Sequence, residues 1–600
     1  MARQLNWVLS GAVAGTSGKL RNRLAMTTIL AVVPFLGYGR PVYAACVELG
    51  VSAVYECSDT SATETITDNN ADVSTLASPP FVVTNGGLSI RGSGDIRFTD
   101  ENASSITNTG GAGLYVRSDG DYNGTDGAVT IVTNGTITGS TYGIEGLNFG
   151  SGDISITADG QVTGQGEAGI FAYNSSAGND LEVITGDESN ILGAYDGITA
   201  ENNGDGDLTV TANGQVEGED GNGIFAENSS NGEDLTITTG VGTSVTGSTT
   251  GIGGIQNGSG ELEITANGTV IGKDGAGIYG YNSADGDGLT ITTGEESAVT
   301  GAFNGIDAEN FGGDLEITAN GQVTGEDGDG IFAENSYDSS EGEDLKITTG
   351  AQSNVTGSDN GIYAKNFGDG DLEITANGVV TGDSADGIYA YNAGEGTTYD
   401  GNGHDLTVTT GVDSVVTGSR YGINAYNDGD GDLEITVDGQ VTGETSDGIH
   451  AYNTYYGHDL TITTGANSVV TGFSEGMDIY NYGDGDLEIT ANGVVTGQTG
   501  IGIYGYNSTD SGDLTITTGV SSNITGGIDG IEGLNFGNGN LEITANGRVT
   551  GETYDGIFAE NGAFNFPTGV RDLTITTGAA STLTILSSAS VRIASECVNW

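Results

Sequence analysis

Basic residues are scarce in this chain. Of 600 residues only 15 are Lys or Arg, against 82 Asp or Glu, and the formal net charge is -67. Five of the bases (Arg3, Lys19, Arg21, Arg23 and Arg40) fall in the first 44 residues, which hold no acid. The remainder has 10 bases against 82 acids. Such a surface repels phosphate backbones and anionic lipid, which excludes nucleic-acid binding. Proline (5), cysteine (3), histidine (3) and tryptophan (2) are equally sparse. The cysteines show no metal-ligand spacing, and no cofactor or metal is expected. Cys46 and Cys57 either close a small disulfide loop or stay as thiols, and Cys597 stands alone near the end. The histidines are His404, His450 and His458. His404 and His458 occupy equivalent corners too far apart for joint coordination, so they read as solvent-facing turn residues. No enzyme activity is expected.

Long apolar runs are also missing. The longest, Leu24 to Leu36 ("LAMTTILAVVPFL"), is too short to span a bilayer. It follows a basic stretch ending at Arg23 and precedes "VYA" (Val42 to Ala44), the three parts of a secretory signal over 1–44. A buried N-terminal helix and a lipoprotein signal ending at Cys46 are the alternatives. No transmembrane helix is expected after cleavage.

Glycine is abundant, at 107 residues, without the every-third period of collagen. Its spacing shows a repeat. The Gly closing "VTG" or a variant recurs sixteen times from Gly139 to Gly551, mostly at alternating intervals of 25 and 29 residues. The unit is therefore a pair of coils 54 residues long. Each coil reads as three short strands: "DLEIT" or "DLTIT", then "GQVTG", then "GIFAEN", as at Gly330 to Asn335. Alternation places Ile331, Ala333 and Asn335 on one face, with Phe332 and Glu334 on the other. One coil cannot bury its apolar face alone, but stacked coils can. The expected fold is an all-β parallel β-helix solenoid, with sixteen coils forming a rod of roughly 75 Å. Four regions follow: the signal peptide (1–44), an N-terminal cap (45–105), the repeats (106–578) and a C-terminal cap or tail (579–600).

The Asn closing the third strand recurs in nearly every coil: Asn148, Asn174, Asn202, Asn228, Asn282, Asn310, Asn335, Asn366, Asn392, Asn427, Asn453, Asn481, Asn507, Asn535 and Asn561. Such a column at an inward corner reads as structural, an amide ladder that also satisfies turn backbone. Outward positions of the same strand carry aromatics in one of the two coil types. They are Phe171, Tyr173, Phe225, Tyr279, Tyr281, Phe332, Tyr389, Tyr391, Tyr452, Tyr504, Tyr506 and Phe558. An exposed row of this kind stacks on sugar rings or host proteins, or else merely shields the sheet. Three longer connections, after Asn335, Asn392 and Asn561, fall at one corner, as recognition loops or as drift at a permissive turn.

Two acidic stretches resemble calcium loops. "GEDGDG" (Gly325 to Gly330) loses its acids in sister coils such as "GQTGIG" (Gly497 to Gly502), and the turn length varies. A site needing six to eight oxygens does not tolerate that, so the stretch is a turn. "GDGDL" (Gly483 to Leu487) lacks the nine-residue tandem period of Gly-Asp-rich toxins.

The basic-extended signal and the coils of "DLEITANGQVTG" and "GIFAEN" type, over roughly Ile106 to Gly578, resemble the passenger region of bacterial autotransporter adhesins. The resemblance implies export from a Gram-negative cell, display or release at the surface, and an adhesive or matrix role. The departure is at the end. That family closes with a translocator barrel, whereas "AASTLTILSSASVRIASECVNW" after Gly578 provides at most one or two strands. Either the chain is a truncated or split product or a separate translocator exports it; a host matrix protein or glycan, or a second copy of the chain, is the expected partner. A self-associating spacer or biofilm component is the alternative function, and a polysaccharide-degrading β-helix enzyme the next.

Overall fold

A computed structural model describes residues 45–50, 52–120, 127–335, 342–393, 405–562, 571–578, 582–585 and 592–594. The chain divides into two units, Met1–Val42 and Tyr43–Trp600. Residues 1–44, expected to be a signal peptide, His404, Cys597 and most of the three longer connections lie outside the described residues.

The second unit is a parallel β-helix with three sheets and about 18 turns, with no helices among the described residues. Its first sheet has 21 strands. One coil shows the pattern: Leu433–Val437 in the first sheet, Gln440–Gly443 in the second and Ile449–Asn453 in the third. Each pairs in parallel with its counterpart in the next coil, as Ile449–Asn453 does with Met477–Asn481. Alternation buries Leu433, Ile435 and Val437, then Val441, then Ile449, Ala451 and Asn453. The core is thus a column of Leu, Ile, Val and Ala, each stacked on its like one coil away. Fully burying each large side chain contributes about 1.5–3 kcal/mol.

The turn count exceeds sixteen because coils without the repeat signature join the stack. Glu64–Thr67 pairs with Leu88–Gly92, which pairs with Leu114–Ser118. The solenoid therefore extends back through most of 45–105. Only its start is different: Ala45–Glu48 runs antiparallel to Val54–Ser58, with Cys46 opposite Cys57. These two cysteines form a disulfide.

Polar pairing explains why the unit is a double coil. In one coil type the first strand ends in a buried Thr, and in the next it is followed by Asn. Thr464 Oγ1 accepts the Asn492 amide at 3.0 Å, and Asn492 Nδ2 donates to the Thr464 carbonyl at 3.0 Å. Thr293 with Asn320 and Thr349 with Asn377 repeat the arrangement. The two partners differ, so coils alternate instead of repeating singly. The Gly before each third strand has a steric cause. A Cβ on Gly330 would lie 2.6 Å from the Gly361 carbonyl oxygen.

Candidate functional site

Each Asn of the third-sheet column is placed at the inward corner. Nδ2 donates to the next Oδ1 from Asn148 to Asn174 (3.0 Å), Asn174 to Asn202 (3.2 Å), Asn282 to Asn310 (2.8 Å) and Asn310 to Asn335 (2.8 Å). Asn335 to Asn366, Asn427 to Asn453 and Asn453 to Asn481 continue it at 3.1–3.2 Å. The same Nδ2 groups donate to turn carbonyls, as Asn228 does to Glu233, Asn392 to Asp405, Asn507 to Asp513, Asn535 to Asn540 and Asn561 to Asp572. These bonds tie neighbouring coils and turns together along the corner.

The acids of the two calcium-like stretches are separated by the fold. Glu326 and Asp327 are exposed, while Asp329 Oδ1 accepts the Asn360 amide at 2.9 Å. The Asp before each first-strand Leu caps the next coil. Asp432 accepts the Asp459 amide at 2.9 Å, Asp459 that of Asp486 at 2.7 Å, and Asp486 that of Asp513 at 2.7 Å. Part of the chain's negative charge is thus a structural ladder along one corner, a role missed in the sequence.

The twelve stripe aromatics all point outward from the third sheet, yet none is exposed; each is half-buried. This corrects the expectation of an exposed row, and the reason is the intervening coil. Reading one coil type placed rings two coils apart, whereas parallel register inserts Tyr363, Tyr426 and Tyr480 between them. Phe332, Tyr363 and Tyr389 stack at 5.1 and 5.0 Å between centroids. Tyr391, Tyr426 and Tyr452 stack at 5.5 and 4.7 Å, the latter nearly parallel at 1°. The residue after the ladder Asn adds a flank: Tyr482 lies 5.1 Å from Tyr452 and 5.4 Å from Tyr506, and Phe536 5.7 Å from Tyr506. An unbroken ring surface therefore runs from Tyr391 to Phe536. Earlier in the sheet Phe171 and Tyr173 form a smaller cluster with Tyr142 and Phe149. Tyr281 meets Phe311, beside a hollow of about 270 Å³ lined by Glu309, Asn310, Phe311 and Glu334. Phe225 faces Gly253 in register, and Phe558 faces Glu532, so the surface is interrupted there.

Ring cover lowers the local dielectric, and titrating groups respond. Burial, then the neighbouring Tyr452 and Asp428, pushes the Tyr426 phenol up to about 12. Burial likewise raises Tyr391, Tyr480 and Tyr504. Among the carboxyls, burial lifts Asp307 to about 6. Glu532 rises to about 7 through burial and the charges of Asp529, Glu560 and Glu475. A surface where ionisation is this unfavourable suits neutral, ring-bearing ligands.

A second feature sits at the corner leading into the third sheet. Asp386 is fully buried there, held by Arg420 Nε and NH2 at 2.8 Å each and by Asn424 Nδ2 at 2.9 Å. At the equivalent corner Asp447 has His450 nearby instead, and burial, then the Glu475 carboxyl and the charge of Asp478, raises its pKa. Asp447, His450 and Asp478 bring one ligand atom each within 4.8 Å of one another, where the sequence had suggested no metal ligands. His458 is separate and exposed, its Nδ1 2.7 Å from Asp484 Oδ1. Among the described residues no helix is long and apolar enough to cross a membrane. No family model, no curated protein and no solved structure matches this chain.

Proposed function

We propose that this protein is an exported, cell-surface or secreted β-helix with a structural and adhesive role, and that the outward face of its third sheet holds the ligand. The supporting observation is the continuous ring surface from Tyr391 to Phe536, spaced at coil height. Flat rings a few ångströms apart offer stacking platforms for the faces of pyranose rings or for aromatic side chains of a matrix protein. A solenoid lets many such weak contacts act along one extended ligand. The resemblance to autotransporter passengers and the secretory-type N-terminus support export.

The test is binding of the full chain to arrays of neutral glycans and matrix proteins. Replacing Tyr389, Tyr391, Tyr504 and Tyr506 by Ser removes four platforms while leaving the core untouched. Stacking contacts of this kind are worth about 0.5–1.5 kcal/mol each, so affinity should fall by at least tenfold. Unchanged binding by the four-Ser variant would move the ligand site elsewhere. If no ligand of either class binds, the self-associating spacer becomes the better reading. It predicts concentration-dependent sedimentation only at high salt, where the acidic surface is screened.

A further inference from the structure

The corner entering the third sheet places a carboxylate or amide beside the Gly-Ile pair, and its oxygen accepts an amide from the next coil. Asp196, Asn304 and Asp386 all do so. Asp447 follows suit, with Oδ1 accepting the Glu475 amide at 3.0 Å. The corners differ at the second oxygen. Asp196 Oδ2 accepts the Thr199 hydroxyl at 2.9 Å, and Asp386 Oδ2 takes N–H groups from Arg420 and Asn424. Asp447 is only 3% exposed; the Glu475 carboxyl hydrogen-bonds its side chain, and no Lys or Arg stands at its Oδ2. That oxygen faces His450 Nδ1 at 3.9 Å, and the same nitrogen lies 3.1 Å from Asp478 Oδ2. His450 and Asp478 are partners in register on adjacent coils. Among the described residues no Lys or Arg forms an ion pair with any of the three.

We propose that Asp447, His450 and Asp478 bind one divalent transition-metal cation of the Zn²⁺ type. Ligand bonds near ~2.1 Å place donor atoms roughly 3–3.5 Å apart around such an ion. The His450–Asp478 pair already has that spacing at 3.1 Å, Asp447 Oδ2 lies 3.9 Å from His450 Nδ1, and all three donors fall within 4.8 Å of one another. A direct His450–Asp478 hydrogen bond accounts for two of the residues but leaves the buried Asp447 carboxyl beside two further acids, Glu475 and Asp478, with no fixed cation to answer them. The imidazole selects against Ca²⁺ and Mg²⁺, which prefer all-oxygen sites. Three protein ligands leave a coordination position for water or for a ligand group lying on the adjacent rings of Tyr421 and Tyr480.

The experiment is calorimetric titration of the full chain with Zn²⁺ alone, in millimolar Ca²⁺ and Mg²⁺ that occupy the diffuse acidic surface. One saturable site per chain is expected. It should weaken at least thirtyfold in His450→Gln and in Asp447→Asn, and persist in His458→Gln. Asp447→Asn should fold, because Asn304 and Asn360 occupy equivalent corners and accept the same amide. Absence of a saturable site, its survival in both His450→Gln and Asp447→Asn, or its loss in His458→Gln would each overturn the proposal.

Discussion

The corners at Asp386 and Asp447 belong to successive double coils and share one backbone. Both carboxylates are buried, and both accept an amide from the following coil. At the first, Arg420 supplies a permanent charge and Asn424 a further N–H. At the second, His450 replaces the cation and two more acids, Glu475 and Asp478, stand close by. The difference teaches that the repeat dictates where a carboxylate is buried but not how its charge is answered. Compensation comes from variable residues of the next turn and strand. Those outward positions are also where the aromatic surface is built.

The frame beneath the two corners should be interchangeable. Ile388 and Ile449 are both fully buried at the first position of the strands these corners enter. Ile388→Ala and Ile449→Ala should each destabilise their coil by about 2–5 kcal/mol. Hydrogen exchange of the strand amides reports this locally, as befits a stack whose coils are coupled to nearest neighbours. A marked inequality would mean that the corners differ in more than their outer side chains.

The next effect separates them. Arg420→Met leaves Asp386 buried with its cation gone and should loosen that corner by about 2–4 kcal/mol. His450→Gln, measured with chelator present, should change its corner by less than about 1 kcal/mol, since Gln still donates to Asp478. Equal losses at the two sites would break the comparison.

A smaller effect belongs to Glu532, one double coil beyond His450's partner strand, where no cation answers the carboxyl. Its pKa rises from an ordinary 4.5 to about 7 through burial first, then Asp529, Glu560 and Glu475. Below pH 4.5 the folded and unfolded chains are both protonated and the contribution is fully present. As pH rises toward 7 the unfolded chain releases its proton first, so stability falls and then levels off. With solvent screening the loss is roughly 1 kcal/mol. Glu532→Gln should flatten that part of the pH profile of local exchange, while leaving Arg420's corner unaffected.

Much of the fold was legible in the sequence because parallel stacking demands the same side chain at the same place in every coil. Leu, Ile and Asn therefore recur visibly, and strands such as Ile331–Asn335 fall where alternation puts them. Coils such as Leu88–Gly92 were missed because Ser, Arg and Gly replace the signature while Leu88 and Ile90 still fill the core. The site was less legible because it lies between coils. Tyr426 meets Tyr391 and Tyr452 only after connections of unequal length are removed and the register is set. Likewise nothing in the spacing of Asp447, His450 and Asp478 marks them as neighbours until one coil rests on the next.

The claim that the fold sets the buried carboxylate, and its neighbour decides its state, is tested most directly by the same substitution at both corners. Asp386→Asn removes the buried charge that an exposed Arg420 and Asn424 hold, leaving their N–H groups a poorer acceptor, whereas Asp447→Asn removes one of three crowded acids and keeps the oxygen that accepts the Glu475 amide. Hydrogen exchange of Tyr421–Asn427 and of Glu475–Asn481, measured at pH 8 without metal, should show opposite signs. We predict faster exchange by a loss of about 1–3 kcal/mol at the first and slower or unchanged exchange at the second. Destabilisation of both corners to the same extent would contradict the account.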